Sequence, residues 1–265
     1  MRISQAGKIF ACSRCKFDLF IGDQDQRIAC PSCLAEFVKD TLVWNFIPQE
    51  NEISLPIWRA WQAVQDNGVA SYQADPDHNL SVGKREDCKR FADFCNYHGM
   101  VLDVGCGPQP WPAYFDADEK VFFIGVDPLA GTQPSGYLTM KALAEYLPFR
   151  DRVFDHVLFS TTLDHFVDPV ESLREAVRVC KPSGEIDVWL GEKKPGAPTP
   201  VSSPEWYTRL KKPELAEDVF HIKRLNSDEF RAIAKKVGVH IVQAEAHPID
   251  AYRTSYFYRL KTSAD

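Results

Sequence analysis

Val101-Leu102-Asp103-Val104-Gly105-Cys106-Gly107 is the stretch whose reading decides the fold. An apolar run feeds directly into a glycine pair, which reads as a buried strand turning sharply into a loop. A second apolar run, Val121 to Val126, closes on Asp127, 22 positions after Gly105. This is the layout of a nucleotide-binding βαβ unit. The acid at the tip of its second strand accepts hydrogen bonds from ribose hydroxyls.

The continuation of the loop narrows the nucleotide. A pyrophosphate needs backbone N–H groups at a helix N-terminus, and a third glycine lets helix and strand pack closely. Here the chain runs Gly107-Pro108-Gln109-Pro110-Trp111-Pro112. Pro110 stands where the third glycine belongs, and Pro108 and Pro110 remove two donors. Such a loop suits a nucleoside whose tail is an amino acid rather than a phosphate, and S-adenosylmethionine fits that description.

At this point the chain resembles the class I methyltransferases that use S-adenosylmethionine, in particular their ubiquinone-biosynthesis-like branch. The matching blocks are Val101–Gly107, Ile124-Gly125-Val126-Asp127-Pro128, Ala144-Glu145-Tyr146-Leu147-Pro148-Phe149, Phe154-Asp155-His156-Val157-Leu158-Phe159-Ser160 and Arg178-Val179-Cys180-Lys181-Pro182-Ser183-Gly184. They follow the family's order and cover roughly residues 100–191. The resemblance implies an α/β fold: a doubly wound, mostly parallel, seven-stranded sheet that ends in an antiparallel hairpin. It assigns the cofactor to Asp103, Gly105, Cys106, Gly107, Asp127, Pro128, Ala144, Glu145, Ser160 and Thr161. Two departures stand out. The loop lacks a further glycine, and Leu143 replaces the acid that usually precedes the Ala-Glu pair, so the Ala144 backbone would recognise the adenine amino group.

Four cysteines stand near the front, Cys12-Ser13-Arg14-Cys15 and Cys30-Pro31-Ser32-Cys33. Two residues between thiolates let both sulfurs reach one tetrahedral metal, and the 14-residue gap between the pairs is enough for a hairpin. Two disulfides are the competing reading. The start, Met1-Arg2-Ile3-Ser4-Gln5, lacks the apolar core of a secretory signal, which points to a reducing cytoplasm and hence to Zn2+. Four thiolates close the coordination sphere, so the expected zinc is structural and supplies folding energy to a small module. Cys88, Cys95, Cys106 and Cys180 are single and read as small buried residues. The module resembles the ribbon of bacterial guanine-N1 ribosomal RNA methyltransferases. It also resembles the small zinc-binding partner subunit of eukaryotic RNA and protein methyltransferases. Lys8, Arg14, Lys16 and Arg27 face a majority of acids, Asp18, Asp23, Asp25, Glu36 and Asp40, so protein docking or packing is as natural a role as RNA binding.

The 265 residues, 45% of them hydrophobic, divide into a zinc ribbon over 1–48, a linker and helical cap over 49–99 and a cofactor-binding domain over 100–265. No apolar run reaches the roughly 18 residues of a membrane span. A net charge of −6 gives no global attraction to nucleic acid. After the polar linker Gln49–Glu52, the spacing of Ile57, Trp58, Trp61 and Val64 predicts a helix from Pro56 to about Asn67. Tyr72 to Ser81 reads as a polar turn that covers the substrate pocket, and a helix is expected near 84–98. Beyond Asp127 the pattern gives strands at Tyr137–Met140, Phe154–Thr161 and Glu185–Gly191. A helix capped by Asp168 and Pro169 should stop at Pro182-Ser183-Gly184. The proline-rich run Lys193–Pro200 reads as a lid loop, Ser227 as the cap of a helix to Lys236, and 239–246 with 251–261 as a last strand pair.

Methyl transfer to an O or N nucleophile requires that the nucleophile be held in line and, for a hydroxyl, relieved of its proton. The loop after the fourth strand reads Ser160-Thr161-Thr162-Leu163-Asp164-His165-Phe166, which makes Asp164 and His165 base or orienting candidates. His221 in Phe220-His221-Ile222-Lys223 is the next candidate and His78 a weaker one, while Trp111 and Tyr114 could wall the cofactor pocket. The leading expectation is a methyltransferase acting on a small molecule such as a sugar or natural-product intermediate. The alternatives are an RNA methyltransferase that grips its substrate with the ribbon, and a non-catalytic partner built on the same fold.

Overall fold

The computed structural model describes residues 8–48, 55–76, 86–110, 121–131, 135–194, 196–197 and 205–262. His78, Trp111, Tyr114, the 49–52 linker and residues 195 and 198–200 of the proline-rich run lie outside the described residues. Three short strands, β1 (Arg27–Ala29), β2 (Glu36–Lys39) and β3 (Trp44–Asn45), form an antiparallel ribbon. Five strands follow in parallel: β4 (Gly99–Val104), β5 (Val121–Val126), β6 (Leu138–Lys141), β7 (Phe154–Ser160) and β8 (Cys180–Lys193). Their sequences are near-continuous apolar runs because both faces of a parallel sheet are covered. β9 (Val239–Pro248) and β10 (Arg253–Thr262) end the chain, with β10 inserted antiparallel between β8 and β9.

The sheet has ten strands rather than the expected seven, in the order β1-β2-β3-β6-β5-β4-β7-β8-β10-β9. The ribbon joins it: Trp44 and Asn45 pair in parallel with Met140 and Lys141, and Phe46 N–H donates to the Lys141 carbonyl at 2.8 Å. Without β3, the buried β6 would end the sheet as an open row of backbone donors and acceptors. A second seam binds the ribbon below the sheet. Phe10 bridges to Phe149, Ala11 N–H donates to the Pro148 carbonyl at 3.0 Å, and the Phe10 ring stacks against Phe46 and Phe149. The buried Glu175 carboxylate accepts from Lys16 Nζ at 2.6 Å, Arg178 Nε at 2.7 Å and the Leu147 N–H at 2.9 Å.

Helices cover both faces. α1 (Leu55–Ala74) lies over the carboxyl ends of the strands and runs well past Asn67, so Tyr72 belongs to a helix and not to the expected turn. α2 (Glu86–Cys95) buries Cys88, Phe91, Phe94 and Cys95 among Val101, Phe123, Leu158, Trp189 and Phe257. On the other face α3 (Pro169–Val179) packs Leu173, Ala176 and Val179 against the large core, near α5 (Ser227–Val237) with Phe230 and Ala234. Asp168 caps α3 as expected, accepting from the Val170 and Glu171 N–H groups. The helix ends at Val179, earlier than the Pro-Ser-Gly stop, because Cys180 turns extended to pair with Phe154, and β8 therefore begins before Glu185. Asn226, not Ser227, caps α5, in a reciprocal capping box with Glu229. A short helix, α4 (Glu205–Thr208), precedes the segment that carries His221.

Glu175 neutralises two cations at the ribbon seam, so Glu175→Ala should cost about 3–5 kcal/mol in denaturant unfolding by leaving buried charge uncompensated. A loss below about 1 kcal/mol, the range of exposed ion pairs, would contradict that role.

Candidate functional site

Strand order reverses between β4 and β7, and in such sheets ligands bind outside the carboxyl ends at that point. A cavity of about 340 Å³ lies there, within the size range of small-molecule sites. Its floor depends on Gly105, whose φ is +86° and where a Cβ would fall 2.6 Å from Thr162 Cβ. Thr162 closes the contact by donating its hydroxyl to the Val104 carbonyl at 2.7 Å. The next wall residue, Thr161, is held at φ +59°, an unusual conformation for a β-branched residue and a mark of a constrained site.

Asp127, at the tip of β5, points one oxygen at the Gly107 N–H at 2.9 Å and the other at the Leu129 N–H at 2.7 Å. Each carboxylate oxygen keeps a lone pair for a further donor. Burial pushes this carboxyl up to about 6, and the two N–H bonds pull it back only in part. Tyr72 reaches over from α1, its hydroxyl 3.1 Å from where a Gly107 Cβ would stand. Burial, and then the charge of Asp127, push the phenol well above its ordinary range, so it stays neutral.

Eight of the ten residues assigned to the cofactor line this cavity: Gly105, Gly107, Asp127, Pro128, Ala144, Glu145, Ser160 and Thr161. Asp103 and Cys106 are not among its lining residues; Asp103 is fully buried within β4, and the Cys106 thiol packs over Gly125. Glu145 lends one oxygen to the Asp168 N–H at 2.9 Å, which ties the wall to the start of α3. Tyr72 covers the pocket as expected, though from a helix; sequence reasoning missed Trp61, Gly68 and Ser71 of α1 in the wall, and Trp189 on β8. The Trp58, Trp61 and Val64 spacing announced the helix, but Gly68 and the turn-rich run from Asp75 hid its last two turns.

The three catalytic candidates meet at one end of the cavity. Asp164 and His165 sit in a single 3-10 turn after β7, and the His221 ring lies 4.1 Å from the His165 ring, centroid to centroid. His165 lines the cavity, while Asp164 and His221 are buried beside it. His165 Nδ1 lies 3.0 Å from the Phe220 carbonyl, which can only accept, so Nδ1 carries the proton and Nε2 the lone pair. Burial, and then His221, pull the His165 imidazole down to about 4, which keeps it neutral near pH 7. His221 Nδ1 donates to Asp218 at 2.8 Å, and Arg224 Nε holds the other Asp218 oxygen at 2.6 Å. Burial pushes the Asp218 carboxyl up, but His221 and Arg224 outweigh it and hold it well below the usual range. His221 Nε2 is left 3.7 Å from Asp164. The Trp61 indole donates to the His165 carbonyl at 2.9 Å, locking the turn beneath α1.

In the ribbon, ligand atoms of Cys12, Cys15, Cys30 and Cys33 lie within 4.8 Å of one another. The Cys12–Cys33 and Cys15–Cys30 sulfurs are 3.6 and 3.5 Å apart. Thiolates about 2.3 Å from a tetrahedral zinc stand about 3.8 Å apart, so the cluster fits the ion. The two knuckles repeat each other. Lys16 N–H donates to the Cys12 carbonyl and Leu34 N–H to the Cys30 carbonyl, and both residues have φ near +61°. Glycine is the usual solution at such a position, and its absence left these turns unannounced.

Residues 102–187, from β4 into β8, match a family model described as a methyltransferase domain. The chain is 37% identical over 122 residues to a ubiquinone/menaquinone biosynthesis C-methyltransferase, UbiE, of Geobacter sulfurreducens, covering 40% of this chain and 48% of that protein. It is 28% identical over 186 residues to the UbiE of Pasteurella multocida, covering 62% of this chain and 66% of the other. With an uncharacterized methyltransferase of Mycobacterium leprae it shares 35% identity over 104 residues, 35% of this chain and 38% of that one. The chain thus spans less than two thirds of the length of these relatives. The segment that matches the methyltransferase-domain model includes the cavity floor at Gly105 and the turn after β7.

Proposed function

We propose that this protein is an S-adenosylmethionine-dependent methyltransferase acting on an O or N nucleophile of a small molecule, such as a sugar or a natural-product intermediate. The observation that carries the reading is Asp127, a buried carboxylate with one free lone pair on each oxygen, set in a cavity beside a donor-poor loop. In this reading Asp127 accepts from the ribose hydroxyls, the Gly105–Gly107 loop and Asp103 support the amino-acid tail, and the Ala144 backbone reads the adenine. When bound, S-adenosylmethionine supplies an electrophilic sulfonium methyl group whose departure needs no acid. The chain's task is then to hold the acceptor in line, exclude water beneath Trp61 and Tyr72, and present the lone pairs of Asp164, His165 and His221 to the acceptor's O–H or N–H.

A cavity of about 340 Å³ walled in part by α1 favours a small acceptor over RNA. The ribbon supports the same preference, because its cations Lys16 and Arg27 are held by Glu175 and Glu36. In our reading the ribbon carries a structural Zn2+ on Cys12, Cys15, Cys30 and Cys33 and serves packing, since it completes the sheet edge beside the cavity wall. Among the described residues no helix is long and apolar enough to cross a membrane, and the expected location is the cytoplasm.

Calorimetry with S-adenosylmethionine tests the cofactor reading. Asp127→Ala should weaken binding more than tenfold while the protein stays folded, and unchanged affinity would sink the assignment. The pH dependence follows from the raised carboxyl: hydroxyls donate best to the ionised form, so wild-type affinity should be flat above pH 7 and fall as pH drops through about 6. The Ala variant should lack that fall. For the ribbon, mass spectrometry should find one zinc per chain. Cys30→Ser should lose the metal and unfold at markedly lower temperature, because metal binding is folding energy in such a module; equal stability without zinc would contradict it.

A further inference from the structure

The cluster at the acceptor end holds more lone pairs than a general base needs. A base requires one lone pair and one partner to orient it. Here both imidazoles give their Nδ1 protons away, His165 to the Phe220 carbonyl and His221 to the Asp218 carboxylate, at 3.0 and 2.8 Å. That makes His165 Nε2 an acceptor, His221 Nε2 faces Asp164, and ligand-capable atoms of His165, His221 and Asp164 lie within 4.8 Å of one another. Acceptors brought together in this way repel unless a proton or a cation stands between them. The 3.7 Å separation of His221 Nε2 and Asp164 is too long for a shared proton. Arg224, the nearby cation, is spent on Asp218. Asp164 itself is only 5% exposed, and a buried carboxylate needs a compensating charge.

We propose that Asp164, His165 and His221 hold one divalent transition-metal cation at the wall of the cavity, a site separate in chemistry from the four thiolates of the ribbon. The donor set, two imidazoles and one carboxylate, is the one that leaves coordination positions open on Mn2+, Fe2+ and related ions. The arrangement around it is that of a prepared site. An imidazole that ligates a metal donates its other N–H to a carboxylate or a backbone carbonyl, and these two do both. Ligand atoms about 2.1 Å from a cation stand about 3.0–3.4 Å apart, so the His221–Asp164 pair needs to close by only about half an ångström.

Because His165 lines the cavity, the open positions of such a cation are available to an acceptor. This consequence, unlike the binding itself, rests on the methyl-transfer reading. A divalent cation binds a hydroxyl oxygen and lowers its pKa, releasing the proton to solvent, so the acceptor class is an alcohol, diol or phenol rather than an amine.

Electron paramagnetic resonance of Mn2+ added to the full-length, zinc-replete protein tests the site, because thiolates already filled by zinc do not compete for Mn2+. The expected result is one Mn2+ per chain, bound at least tenfold more weakly by His221→Gln and by Asp164→Asn, with S-adenosylmethionine affinity within twofold of wild type. Nitrogen hyperfine couplings from two imidazoles should appear in the wild-type spectrum, a readout that stands even if a variant fails to fold. Absence of stoichiometric Mn2+ or of imidazole couplings, or undiminished binding by folded variants, overturns the proposal. Mn2+ bound to a protein that ignores S-adenosylmethionine would retire the methyl-transfer reading and leave the metal site standing.

Discussion

The close approach of two loops at the strand-order reversal is the constraint on which the site depends. The chain leaving β4 must pass so near the turn leaving β7 that a single Cβ at Gly105 would sit 2.6 Å from Thr162. A left-handed glycine meets that demand without strain. The same contact brings Gly107 N–H to Asp127 on one side and fixes the turn that carries Asp164 and His165 on the other. In the proposed reading, cofactor side and acceptor side are therefore set by one piece of backbone geometry, and a shift at Gly105 moves both.

The ribbon extends that rigidity sideways. β3 pairs with β6, and the strand that follows β5 in the sheet delivers Ala142, Leu143, Ala144 and Glu145 to the cavity wall. Fixing β6 at its outer edge fixes that wall, and the Lys16–Glu175–Arg178 group ties the ribbon to α3 beneath it. Cysteines more than 100 positions before the wall thus act on its shape through a continuous sheet rather than through a tether.

Much of this was legible in the residues. The Val101–Gly107 and Val121–Asp127 runs carry their own strand, turn and carboxylate signals, and local chemistry placed them correctly in the sheet. The Asp168-Pro169 cap was equally local. What escaped was set by tertiary contact. Nothing in Trp44-Asn45 announces a partner about 95 positions away, so the ten-stranded sheet was beyond periodicity. The last turns of α1, residues 68–74, follow Asn67, which reaches the Lys211 and Val219 carbonyls; that tertiary support is not announced by residue spacing, so Tyr72 read as the start of a turn. Asp164, His165 and His221 were each visible as candidates, but their convergence, and the Phe220 and Asp218 partners that aim the imidazoles, belong to the fold.

A crystal structure grown with S-adenosylhomocysteine, the demethylated product of the proposed reaction, bears most directly on the proposal that Gly105 sets the cofactor and acceptor ends of the cavity. The ribose hydroxyls should lie on the Asp127 carboxylate, the adenine beside the Ala144 backbone, and the sulfur should face the end lined by His165. Adenosine density elsewhere on the protein, or a ribose that leaves Asp127 untouched, would contradict this account.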